Sequence, residues 1–156
     1  MPQKTIQYSK QVRIIRETSP YFQGFLVRLM EDAYNARRKR NISNYRDALL
    51  IIFHSLPLDV RKDIIENIKS RLSALNIPVK VGALEEIIDQ VNEYCRNVIS
   101  RYDGLSLSKK FSICENRALL FYDIAYSCMM EAIHNHNIFV VAKTIRMGYY
   151  RPGVEE

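Results

Sequence analysis

From Leu107 to Ala132, apolar or small residues return every four and then every three positions: Leu107, Phe111, Cys114, Ala118, Phe121, Ala125, Cys128 and Ala132. That spacing keeps the side chains on one stripe of an α-helix, whereas a strand of period two scatters them over both faces. Leu120, Tyr122, Ile124, Met129 and Ile133 add apolar surface on other sides. A helix apolar nearly all round belongs at the centre of a bundle or in a subunit interface. The rest of the chain must therefore supply helices to cover it.

It does so in four segments. After Ser19-Pro20, a cap followed by a residue suited to a first helical turn, Phe22, Phe25, Leu26, Leu29, Ala33 and Ala36 recur at helical spacing. A turn at Asn41 to Asn44 follows, with Ser43 a candidate cap for a helix over roughly 44–55. Beyond Pro57, Val60, Ile64, Ile68, Leu72 and Leu75 form a third stripe, stopped by Asn76-Ile77-Pro78. Leu84, Ile88, Val91, Cys95, Val98 and Tyr102 form a heptad seam over about 83–102, closed by Asp103-Gly104. The expected fold is all-α, a bundle of about five helices. Residues 1–19 form a separable basic arm, 20–147 the bundle domain and 148–156 a short tail; residues 138–147 read equally as helix or strand.

Composition closes off alternatives. Five Gly and five Pro are too few punctuators for an all-β chain of 156 residues. Three cysteines without a CxxC spacing argue against a disulfide framework or a zinc knuckle, and imply buried free thiols in a reducing compartment. Residues 1–19 lack the apolar segment of a secretory signal. The apolar stretch from Ala118 to Ile133 is broken by Asp123, Ser127 and Glu131, so no membrane span is expected. An intracellular, non-secreted protein follows, or one held within a nucleoprotein particle.

The formal net charge of +6 is unevenly distributed. Residues 1–46 hold ten Lys/Arg against three Asp/Glu, whereas residues 47–142 hold ten against twelve. A positive front on a near-neutral body points to an anionic partner, most often nucleic acid. The densest stretch runs from Tyr34 to Arg46, with Arg37, Arg38, Lys39, Arg40 and Arg46 interleaved with Tyr34 and Tyr45. Guanidinium groups bind phosphate oxygens, and tyrosine stacks on a base or bonds a phosphate. Lys10, Arg13 and Arg16, three apart, repeat the theme on the arm. Part of the cluster also has a structural explanation, since cations in a last helical turn complement the helix dipole.

Other constellations give less. A helix-turn-helix over residues 63–75 and from Ala83 would turn Glu85, Glu86, Asp89 and Glu93 toward DNA, where carboxylates and phosphates repel. His134 and His136, two apart on a helix, point to nearly opposite sides and cannot chelate one ion, so no metal is expected. No P-loop, GxGxxG or GxSxG is present. The stripe Asp123, Ser127 and Glu131 is better read as an outward face, or as one satisfied within a bundle by arginine and tyrosine, than as an acid–base site.

The sequence thus predicts a non-enzymatic protein without cofactor or small-molecule substrate. It would bind nucleic acid, foremost double-stranded DNA, through backbone phosphates and without sequence preference, and assemble as a homo-oligomer through its bundle. Small helical subunits that coat filamentous DNA in some viruses share this layout, an analogy of architecture with no motif behind it. The alternative is a helical adaptor or regulator whose basic patch meets an acidic protein, such as a component of the transcription machinery.

Overall fold

The structure, a computed structural model, describes residues 20–80 and 82–138. Among these, five helices and no strand are present: α1 (Pro20–Arg38), α2 (Ile42–Ser55), α3 (Leu58–Ala74), α4 (Leu84–Ser100) and α5 (Leu107–Asn135). The predicted all-α bundle is observed. The arm, the tail and residues 139–147 lie outside the described residues.

Helix α5 is the axis. Its 29 residues extend for roughly 43 Å at 1.5 Å per residue, and α2, α3 and α4 all pack on it, while α1 lies mainly against α2. Ala118, Phe121, Ala125, Cys128 and Ala132 are buried, as the four-three spacing requires, and Leu119, Tyr122, Tyr126, Met129 and Ile133 join them. The seam does not run its full predicted length. Leu107 is 85% exposed and Phe111 66%, so the first two turns of α5 project beyond the core of the chain. The reason lies in α4, whose burial is densest at Leu84, Ile87, Ile88 and Val91; Tyr102, at the opposite end, is exposed.

The helix ends are set locally. Three helices close with paired bonds from the third residue beyond the helix to the carbonyl five back, and from the residue before it to the carbonyl three back. These are Asn41→Ala36 with Arg40→Arg37, Ile77→Leu72 with Asn76→Ser73, and Ile138→Ile133 with Asn137→His134. Each motif needs one residue in the left-handed region, and Arg40 (φ 57°), Asn76 (φ 62°) and Asn137 (φ 58°) occupy it. Asparagine tolerates that conformation; an arginine there carries a steric penalty. At the start of α2 the cap is Asn41, whose side chain accepts from Asn44 N at 3.1 Å, and not the expected Ser43. Asn41 wins because the chain leaves α1 so tightly that α2 begins at Ile42. Ser106 caps α5 by accepting from Lys109 N.

Candidate functional site

The cationic segment spans the end of α1, the turn and the first turns of α2, and its side chains divide into two groups. Arg37 and Tyr45 point inward. Arg37 Nε donates to both carboxylate oxygens of Asp123 on α5, at 2.8 and 3.1 Å, and the Tyr45 hydroxyl donates to Oδ1 at 2.6 Å. Tyr45 is fully buried, edge-on to Tyr122 with ring centroids 5.8 Å apart. Burial, reinforced by the bond to Asp123, pushes the Tyr45 hydroxyl far above its usual value. The bond to Asp123 likewise raises Arg37, against the opposing effect of burial.

One sequence expectation is corrected here. A tyrosine without exposed area cannot stack on a base, so Tyr45 leaves the predicted surface. Arg37 commits its Nε to the part-buried Asp123 carboxylate and keeps about 28% of its side chain exposed. Both belong to a polar stripe along α5 that continues one turn on. Arg71 of α3 donates to Ser127 Oγ at 3.2 Å and to Glu131 at 2.9 Å, and Asn67 donates to Glu131 at 2.8 Å. Asp123, Ser127 and Glu131 are thus engaged by arginine, tyrosine and asparagine side chains.

The second group faces outward. Arg38, Lys39, Arg40 and Arg46 are exposed, with the Arg38 guanidinium 6.0 Å from the centre of the Tyr34 ring one helical turn earlier. Arg46 reaches Asp47 at 3.4 Å, an exposed pair of little energetic weight. Arg40 hydrogen-bonds Asn116 on α5. This contact carries the basic turn across to the projecting end of α5, where an open groove of about 1010 Å³ lies between α2, α4 and α5. Ile42, Ile99, Leu107 and Phe111 give it an apolar floor, while Arg40, Arg46, Arg96 and Lys110 line it with positive charge; Glu115 is the single acid among its lining residues.

Sequence reasoning missed Arg96, Lys110 and Arg117. Arg96 and Lys110 line the groove, and Arg117 acts electrostatically on Cys95. Each directly flanks a seam position (Cys95, Phe111, Ala118), a signal visible in the chain. Only the packing of α4 on α5 reveals that Arg96 and Lys110 meet Arg40 and Arg46. Lys10, Arg13 and Arg16 lie outside the described residues.

The acidic side of α4 is elsewhere engaged: Glu85 contacts His54 of α2 at 2.6 Å, and Glu86 accepts from Ala83 N at 2.9 Å. His136 contacts Asp63 at 2.7 Å. No group of three or more His, Cys, Asp or Glu suited to a metal ion occurs among the described residues. No described helix is long and apolar enough to cross a membrane.

Fold and site together define a five-helix bundle that presents a mixed apolar and cationic groove beside an exposed basic turn. No family model, curated protein or solved structure matches the chain.

Proposed function

We propose that this protein is a non-enzymatic, sequence-independent nucleic-acid-binding subunit of packaging or coat type, which assembles through its helical bundle and acts inside a cell or a nucleoprotein particle. Arg38, Lys39, Arg40 and Arg46 neutralise phosphates, and Arg96 and Lys110 join Arg40 and Arg46 along the groove. Tyr34, beside Arg38, supplies the aromatic contact that the sequence assigns to two tyrosines. The observation that carries this reading is convergence: cations distant in sequence share one open face with a single carboxylate. Such a face binds a polyanion by charge density and geometry without reading base edges. The exposed Leu107 and Phe111 give the subunit an apolar surface with which to meet a neighbour.

A second reading draws on the floor of the same groove. An amphipathic acidic helix of a partner protein would lay its apolar face on Leu107 and Phe111 and its carboxylates against the arginines. Binding to two unrelated duplexes, titrated with salt, separates the two. The nucleic-acid reading expects equal affinity for both duplexes and steep, linear weakening of log K with log salt. Absence of binding to either duplex at low salt would overturn it in favour of the adaptor.

A further inference from the structure

Two of the three cysteines come together in the groove. Cys95 of α4 and Cys114 of α5, 19 residues apart in sequence, hold their sulfurs 3.5 Å from each other, with the Cys95 thiol donating to Cys114 Sγ. Both are half-buried and line the groove, whereas Cys128 is sealed in the core at 0% exposure. Chance contact between buried thiols is ordinary core packing. This pair differs because it lies at an open surface, and because it belongs to no group of three or more His, Cys, Asp or Glu suited to a metal ion among the described residues.

We propose that Cys95 and Cys114 form a reversible disulfide that staples α4 to α5 along the floor of the groove, with a hydroperoxide as the oxidant. The sulfur of Cys114 attacks the outer peroxide oxygen; the O–O bond breaks, the Cys114 proton leaves with the departing oxygen, and a sulfenic acid remains. The sulfur of Cys95 then attacks Cys114 Sγ, the S–S bond forms, the S–O bond breaks, and hydroxide departs as water with the Cys95 proton. Two thiols and one hydrogen peroxide thus give one disulfide and two waters. The order follows from the hydrogen bond, in which the Cys95 thiol is the donor and Cys114 Sγ the acceptor. Burial and that same bond push the Cys95 thiol up to about 11, while Arg117 and Arg96 act in the opposite direction. The sulfurs must close from 3.5 Å to about 2.05 Å. That movement is within the reach of side-chain rotation at an open surface.

The chain lends itself to a direct test, because trypsin places the three cysteines in separate peptides, residues 81–96, 111–117 and 118–143. The full chain is treated with hydrogen peroxide, blocked with N-ethylmaleimide under denaturing conditions and mapped without reduction. The expected result is a covalent pair of the 81–96 and 111–117 peptides, two of three thiols consumed, Cys128 alkylated, and the link cleaved by dithiothreitol. In Cys95→Ser, dimedone should label Cys114. Three intact thiols in the wild-type chain, a bond to Cys128, or a link between two chains would each overturn the proposal, whatever the variant does.

Discussion

Asp123 joins one buried tyrosine and one half-buried arginine, and the cost of dismantling that junction follows from its geometry. Tyr45→Phe removes a hydrogen bond to a charged acceptor, worth about 1.5–3 kcal/mol when nothing replaces it. Asp123 keeps both bonds from Arg37 and is 31% exposed, so water recovers part of the loss. We expect a destabilisation of about 1–1.5 kcal/mol. Asp123→Ala is worse. It leaves the Tyr45 hydroxyl buried without an acceptor, a penalty of about 1–3 kcal/mol, on top of the missing bond. Arg37, 28% exposed, can turn to water and adds little. The expected total is about 3 kcal/mol. In the double variant the orphaned hydroxyl is gone, so Tyr45→Phe should rescue part of the Asp123→Ala defect, by about 1 kcal/mol. Urea unfolding followed by circular dichroism reads all four corners of the cycle. Strictly additive effects, or a Tyr45→Phe change within about 0.5 kcal/mol of zero, would refute the coupling through Asp123.

Other expectations concern the helix end, the seam and alkaline stability. Arg40→Gly relieves the left-handed strain at φ 57° and should raise stability by about 0.5–1 kcal/mol, measured by thermal unfolding, despite removing the bond to Asn116; a loss of stability would show that the bond outweighs the strain. Phe121→Ala should cost about 3–5 kcal/mol in urea unfolding, whereas Phe111→Ala should change stability by less than about 0.5 kcal/mol, although both occupy the same sequence stripe. Equal costs would place the start of α5 in the core. Burial raises the Cys128 thiol from the ordinary 9.0 to about 11, and burial with its thiol partner does the same for Cys95. Unfolded thiols therefore ionise first, so the urea midpoint should hold below pH 9 and fall as pH rises toward 11; a flat or rising midpoint there would contradict this.

Much of the fold was legible because apolar spacing is a local signal. Val60, Ile64, Ile68 and Leu72 on α3, and Leu26, Leu29, Ala33 and Ala36 on α1, are buried as their periodicity requires. Where the pattern overreached, the missing information was the reach of a partner. Leu107 and Phe111 carry the seam spacing as well as Phe121 does, yet burial depends on how far α4 and α3 extend beside them. The cap at the start of α2 fell to Asn41 because the tight exit from α1, with Arg40 in the left-handed region, fixes where the next helix begins. At the candidate site, the basic turn was visible as composition, but composition cannot separate inward from outward charges. Arg37 and Arg38 are adjacent in sequence and differ only in helical phase relative to Asp123, a carboxylate 86 residues away from Arg37. The contributions of Arg96 and Lys110 depend equally on the packing of distant helices.

The salt dependence of duplex binding, measured by fluorescence anisotropy for matched variants, bears on the division between inward and outward cations. Neutral replacement of Arg38, Lys39, Arg40 and Arg46 by glutamine should flatten the slope of log K against log salt by roughly 3–4, at about 0.9 for each phosphate left unneutralised. Arg37→Gln should leave the slope at the wild-type value while lowering stability. A slope unmoved by the fourfold replacement, or flattened by Arg37→Gln alone, would contradict the account.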